Sequence, residues 1–393
     1  MELRPGWKTR WIVISVLALP TIVFFVYSLR NPAVAKGKAA VVQAGKPDAP
    51  AQPASPWVMQ DSGTTAGLRG IYSVDGKIAW ASGTGGTVLR TVDGGEHWTK
   101  CAVPGPDGET LDFRGVQAWD ANTAIIMASG PGDKSRLYKT DDGCKSWTLK
   151  FQNEEKEGFW DALRLWTPTD GFLAGDPVSG KLFLSEAVAE LGEAVNGGFI
   201  DNDLYAVSAK NGEAAFAASN SSISLGPFRR MDGASRDVWF ATGGVSGSRV
   251  IHYQHFNGGE PERVSFSQSD ATMFPRTPSG GIFSIQIRDE KRGIVVGGDY
   301  SKPNESSGTA AWTSDGGMHW TGSKKPPHGY RSSVQWSEDL KAWITVGTNG
   351  SDISRDDGKT WTPLDDGNWN ALSLPFVVGP KGRIARLKIP LAP

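Results

Sequence analysis

Four stretches of the chain repeat one spacing: Thr91-Val-Asp93-Gly-Gly95-Glu-His-Trp98, Thr140-Asp-Asp142-Gly-Cys144-Lys-Ser-Trp147, Thr313-Ser-Asp315-Gly-Gly317-Met-His-Trp320 and Ser354-Arg-Asp356-Asp-Gly358-Lys-Thr-Trp361. Each opens on Ser or Thr, has Asp two positions on and Gly two beyond that (Cys144 in the second copy), and reaches Trp seven after the start. This is the chemistry of a hairpin turn. The aspartate can accept N–H groups of its own turn, the glycine supplies a positive φ, and the tryptophan opens the next strand and buries a large ring between layers.

Around each copy the pattern is an alternating strand, a Gly-rich turn and a second strand, as in LRGIYSV, KIAWASGTGG and TVLRTV. Recurrence at this length marks a propeller or a solenoid. Seven such units can be drawn, over 67–103, 112–151, 159–195, 212–268, 280–324, 329–365 and 369–389. The last is short of a strand, and Trp57-Val-Met-Gln60 is placed to supply it and close a ring, which hides sheet edges. A degenerate fifth turn is read at Phe256-Asn257-Gly258-Gly259, with Asn257 in the aspartate place, and a short helix over 186–195. The expected fold is all-β, a seven-bladed propeller of four-stranded blades over 57–390.

Composition agrees with this. Forty-nine glycines and 16 tryptophans among 393 residues suit short strands and aromatic packing rather than a helical bundle. A formal net charge of −1 removes the footprint of a nucleic-acid binder. At the amino end, Arg4, Lys8 and Arg10 precede an uncharged apolar run over 11–29. Its length nearly spans a bilayer as a helix, and the basic residues before it favour a cytoplasmic start. Residues 1–30 are therefore expected to form a transmembrane anchor, or a signal segment cleaved near Ala33-Val-Ala35. Residues 31–56 read as a flexible Pro/Ala-rich tether. Either way the propeller would lie outside the cytoplasm, anchored at the inner membrane and facing the periplasm or exterior, or exported after cleavage. Seven basic and two acidic side chains fall before residue 61, against 34 and 40 after it. The basic segment suits anionic headgroups.

The four turns resemble the Asp-box, or BNR, repeat of sialidase-like and related propellers. Asp93, Trp98, Asp142, Trp147, Asp315, Trp320, Asp356 and Trp361 are then structural. With GTVLRTVDGGEHW, FRGVQAWDANTA, GEAAFAAS, DVWFATGG, GIVVGGDYSKP, GYRSSVQW, GSDISRDDGKTW and GRIARL added, the chain over about 57–387 resembles the photosystem II stability/assembly factor-like family. The resemblance implies a seven-bladed propeller on the non-cytoplasmic side of a membrane, holding or assembling another protein without catalysis. It also implies an arginine-rich binding face, as in photosynthetic members.

When the starts of the inner strands are aligned, one position is unusually polar: Arg69, Arg114, Asp161, Glu213, Arg331 and Asn370, with Ile282 or a neighbour in the fifth unit and Tyr330 beside Arg331. In a propeller these cluster where the central channel meets one face. They would either pair with one another and plug the channel or leave guanidiniums free to grip a carboxylate or phosphate. Loops opening on the same face carry Asp176, Asp299, Tyr300, Lys302 and Arg383. The expected partner is a protein at the envelope or membrane, with no cofactor, no metal, no nucleic acid and a monomeric chain.

The rival reading is a sialidase-like glycoside hydrolase. Arg69, Arg114 and Arg331 would form its arginine triad, Glu213 with Tyr330 its nucleophile pair and Asp161 its acid. Against it, the chain lacks the Arg-Ile-Pro motif that sialidases carry ahead of the first box, and seven units are read instead of six. The five histidines show no metal-ligand spacing. A Cys101–Cys144 disulfide suits an oxidising compartment, yet Cys101 is expected to end an outer strand at the face opposite the turn that holds Cys144.

Overall fold

The computed structural model describes residues 55–105, 107–188, 207–226, 234–257 and 263–388. The anchor or signal segment and most of the tether lie outside these residues. Among the described residues no helix is long and apolar enough to cross a membrane.

Each repeat folds into an antiparallel sheet. The first comprises Leu68–Ser73, Ala79–Gly83, Val88–Thr91 and Thr99–Lys100, and the second Phe113–Ala118, Ala124–Ala128, Arg136–Thr140 and Thr148–Gln152. Blade 3 has Trp160–Thr167, Asp170–Val178 and Lys181–Val188, with Ser208 bridging to Lys181 at its outer edge. Residues 186–188 thus continue a strand instead of starting the expected helix. Blade 4 is Ile223–Leu225, Ala234–Ala241, Arg249–Asn257 and Arg263–Asp270. The proposed fifth turn falls at the end of its third strand, and the residues after Asn257 lie outside the described ones. Blades 5 and 6 are Gly280–Ile287, Gly293–Asp299, Ala310–Thr313, Thr321–Gly322 and Ser333–Ser337, Ala342–Gly347, Gly350–Ser354, Thr362–Asp365. Two short pieces, Glu213–Ala214 and Gly243–Gly244, extend blade 5 at its inner edge.

The first strands of successive blades touch all the way round, from Leu68–Ser73 to Ala371–Ser373 and back. The seventh blade is built from both ends of the chain: Ala371–Ser373, Phe376–Val378 and Ile384–Leu387 are completed by Trp57–Gln60, in register from Trp57↔Leu387 to Gln60↔Ile384. This is the closure read from the sequence. The apolar core divides into seven clusters, each shared by two adjacent blades. Burying both faces of the sheets in this way supplies the hydrophobic drive for a fold with no helical layer among the described residues.

Polar links repeat along the inner strands. A side chain of one blade accepts a backbone N–H of the next: Gln117 Oε1 from Leu165 (3.0 Å), Ser224 Oγ from Ile287 (2.9 Å), Gln286 Oε1 from Trp336 (2.7 Å), Gln335 Oε1 from Leu374 (2.7 Å) and Ser373 Oγ from Ser73 (2.9 Å).

The four aspartate turns share one network. The opening hydroxyl donates to the aspartate at 2.7–2.9 Å and accepts the N–H four residues on at 2.9–3.0 Å. The other carboxylate oxygen takes the side chain four residues after the aspartate: His97, Ser146, His319 or Thr360. The exposed trio Asp93, Glu96 and His97 is thereby part of a turn, with the His97 ring bonded to Asp93 at 2.7 Å. Each turn tryptophan then crosses to the preceding blade. Trp98 Nε1 donates to Gln60 Oε1, Trp147 to the Ala102 carbonyl, Trp320 to Ser269 Oγ and Trp361 to Ser323 Oγ.

Cys101 and Cys144 form a disulfide, with Cα atoms 5.3 Å apart, against the sequence expectation. The outer strand of blade 1 spans only Thr99–Lys100, so Cys101 has not reached the opposite face and lies against the turn of blade 2. The residue in the glycine place of a turn points at the preceding blade: a Cβ on Gly95 would run into the Gln60 side chain. Cys144 fills that place at φ 66° and meets Cys101 there.

Candidate functional site

The inner strands of four blades begin with a register irregularity at which one residue is extra: Arg69, Arg114, Asp161 and Phe283. Such bulges re-aim a side chain, and here they turn all four into one cavity. In blade 6 Gly347 packs against the backbone of Tyr330 and Arg331 as Gly83 packs against Gly67 and Leu68. That makes Ser332, not Arg331, the counterpart of Arg69. Asn370 takes the place in blade 7.

The cavity has a volume of about 420 Å³ and opens on the channel end where the inner strands start. One side is charged, with Arg69, Arg114, Asp161 and Asp176. The other is aromatic. Phe216 and Phe283 stack with centroids 4.0 Å apart, Tyr330 stands edge-on to Phe283 at 4.8 Å, and Tyr300 follows at 6.1 Å. The aromatic wall has weaker sequence signals: Phe283 follows the aligned Ile282, while Phe216 comes from the segment preceding the inner strand of blade 4.

The polar groups are only partly matched. Arg114 donates through Nε to Asp112 at 2.8 Å and through Nη1 to the Ala217 carbonyl at 3.3 Å, and lies over the Phe159 ring. Arg69 has no ion-pair partner among the described residues; burial first and then the neighbouring Arg114 pull its pKa below the ordinary value. Asp161 is buried and its Oδ2 has no hydrogen-bond partner. Burial, with Asp176 nearby, pushes its pKa well above that of an ordinary carboxyl, and burial raises Asp176 too. Thr348 Oγ1 is a second unpartnered atom on the wall. Among the described residues no ion pair joins either arginine to Asp161 or Asp176, so the channel end is not plugged by mutual bridges. Burial also pushes the Tyr330 phenol above its usual range.

Other expected residues sit elsewhere. Arg331 is fully buried and bound inside blade 6, to Asp352 Oδ2 (2.7 Å from Nε), Asn349 Oδ1 and the Tyr330 carbonyl, with His328 on the same carboxylate at 2.8 Å. Aligning it with Arg69 by residue type shifts the register by one, which reverses the face. Glu213 precedes blade 4's inner strand by ten residues and is clamped by Arg249 (2.7 Å), Thr242 (2.6 Å) and the Lys210 N–H (2.8 Å). Burial opposes its ionisation, but those bonds hold its pKa below the ordinary value. Asp299 is not exposed loop chemistry: it ends a strand, is 4% exposed, and is bonded by Thr277, Ser279 and Ser301. Lys302 is on the surface beside Glu305 at 3.5 Å, and Arg383 lies over the Trp369 ring at 4.6 Å. With Arg331 and Glu213 both enclosed by their own partners, the sialidase constellation is not assembled.

No protein-family model matches the chain. It is 28% identical over 114 residues to the photosystem II assembly lipoprotein Ycf48 of Synechococcus sp. (strain CC9902), a stretch covering 28% of this chain and 31% of that protein. The chain thus spans about a third of the length of the curated relative it matches. Among solved structures, Ycf48 bound to D1 peptide superposes with a TM-score of 0.53 at 14% identity, over 86% of this chain and 98% of that one. Ycf48 from Cyanidioschyzon merolae gives 0.49 at 16% identity, over 84% and 98%. The first of these structural likenesses supports the β-propeller fold.

Proposed function

We propose that this propeller is a non-catalytic binding protein, an assembly or stability factor that holds a segment of an envelope or membrane protein in the channel mouth. The observation that carries the reading is the unpartnered Arg69 beside Arg114, facing an aromatic wall across an open cavity. A guanidinium in low-dielectric surroundings that forms no ion pair of its own suits a carboxylate brought by a partner. The stacked rings give flat apolar contact to an extended chain. Orphaned Asp161 Oδ2 and Thr348 Oγ1 offer further hydrogen bonds, since the raised pKa of Asp161 favours a protonated, donating carboxyl. The relative whose structure carries a D1 peptide supports a peptide partner. The four aspartate turns read as structural Asp-box elements, and the segment over 1–56 as the anchor or signal and tether that keep a monomeric propeller at the outer side of the membrane.

The test is crosslinking in intact membranes, followed by mass spectrometry and pull-down with the full chain. One stoichiometric partner is expected, lost with Arg69→Ala or Arg114→Ala and retained with Lys302→Ala. Turnover of an aryl sialoside abolished by Arg69→Ala, or a partner indifferent to both arginines, overturns the proposal.

A further inference from the structure

Three residues along each inner strand from the mouth, about 10 Å deeper at strand rise, the channel holds one layer of side chains, one from each blade. Five of its members are the residues that link each blade to the next. The remaining two are Tyr72 and Arg164, which occupy the same position in blades 1 and 3 and line the same cavity of about 250 Å³.

The links decide the polarity of this layer. Each glutamine carbonyl oxygen accepts a neighbour's backbone N–H, which turns its NH2 group away from that bond. Gln117 returns its NH2 to the Leu165 carbonyl, but no acceptor for the NH2 of Gln286 or Gln335 is found among the described residues. Ser224 and Ser373 likewise accept a backbone N–H and keep their own proton free. Arg164 cannot accept at all, so blade 3 makes no such link to blade 4. Its guanidinium has no hydrogen bond or ion pair among the described residues, and no carboxylate lines the cavity. Burial pulls its pKa below the ordinary arginine value. Free donors of Gln286, Gln335, Ser224 and Ser373 therefore surround one unneutralised cation on a wall without a carboxylate, the chemistry an anion requires.

We propose that Arg164 and the donor layer bind a small carboxylate or inorganic oxyanion in the channel, at a site separate from the arginine mouth. The planar fork would take two oxygens of the anion, and the free amide and hydroxyl protons of Gln286, Gln335, Ser224 and Ser373 would face the rest. The ligand neutralises a cation that the fold leaves bare, and so fixes blade 3 to its neighbours through the anion.

The purified full chain is titrated calorimetrically with acetate and, separately, phosphate, at constant ionic strength set by chloride. The thermal midpoint is followed in parallel, since a ligand of the native state raises it. Arg164→Gln is the informative variant, because glutamine already occupies this position in three blades and can make the missing link. Arg164→Lys keeps the charge without the fork. Saturable binding of acetate or phosphate by the wild type is expected, weakened at least tenfold in Arg164→Gln, less in Arg164→Lys, and unchanged in Lys302→Ala. No saturable binding of either anion, undiminished binding in a folded Arg164→Gln, or equal weakening in Lys302→Ala overturns the site. The proposed mouth function is untouched by any of these results, because it is read from partner capture.

Discussion

Cys144 holds, at φ 66°, the turn position that glycine holds in the three other turns, and its sulfur is bonded to Cys101 of the preceding blade. The bond closes a loop of sequence separation 43. In the chain-entropy account such a loop contributes about 4 kcal/mol. The double variant Cys101→Ser/Cys144→Gly, which restores the turn's usual residue, is expected to melt several degrees lower than the oxidised wild type. It should coincide with the wild type under reductant. Coincidence with the oxidised protein in differential scanning calorimetry would show that the bond carries no stability.

Arg331 and Arg69 are expected to separate stability from binding. Arg331→Ala leaves Asp352, which is fully buried, beside His328 alone. Breaking a buried pair in this way costs about 3–5 kcal/mol, read as a lower urea midpoint. Arg69→Ala removes a cation with no partner and should shift stability by no more than about 0.5 kcal/mol, while partner capture is lost. Equal effects of the two on stability would contradict the register assigned to blade 6.

Asp161→Asn is expected to raise stability at pH 7. The buried carboxyl has a raised pKa in the fold, so its penalty is absent below its unfolded pKa of about 3.9 and grows as pH rises toward the folded value. Asparagine avoids this and keeps an acceptor for the Ala217 N–H. The variant should therefore exceed the wild type in urea melts at pH 7 and match it near pH 3.5. A deficit at both pH values would mean that the carboxylate is matched by a partner in solution.

Acid should act in the opposite sense on aspartates whose folded pKa is lowered. Asp142 is lowered to about 2 by the hydroxyl and then the N–H of Ser146. Asp289 and Asp299 are also lowered to about 2: burial works against ionisation, and the bonds from Arg292 or from Ser301 and Ser279 outweigh it. Folded values below the unfolded one stabilise at pH above about 4 and lose that contribution as pH falls through about 2. Thermal midpoints should hold from pH 7 to 4 and drop steeply from 4 to 2, with Asp142→Asn losing less over that interval. A wild-type midpoint that is flat to pH 2 would sink the assignment.

The ring was legible in the sequence because its determinants are local. Thr91 to Trp98 contains every group of its turn network, so spacing alone fixes the hairpin, and Trp57–Gln60 reads as a strand whose partner is missing. The mouth was half legible. Arg69, Arg114 and Asp161 share a bulge position, with Asn370 at the equivalent place in blade 7, but a bulge is set by pairing with the second strand, and Tyr330-Arg331-Ser332 offers arginine one residue early. Glu213 has the right residue type ahead of blade 4's inner strand, and only Arg249, 36 residues away, shows that it is taken. The disulfide was missed because the length of the outer strand, two residues in blade 1, is not written in any local pattern.

Blade 7 joins Trp57–Gln60 to Ile384–Leu387, a strand made more than 300 residues later. Until Ile384–Leu387 has emerged, Trp57–Gln60 has no sheet to enter, and the seam between blades 6 and 1 stays open. A product that stops short of Ile384–Leu387 leaves Trp57–Gln60 without its partner and keeps an open sheet edge, a template for pairing with other chains. The ring thus closes only once synthesis has passed Leu387.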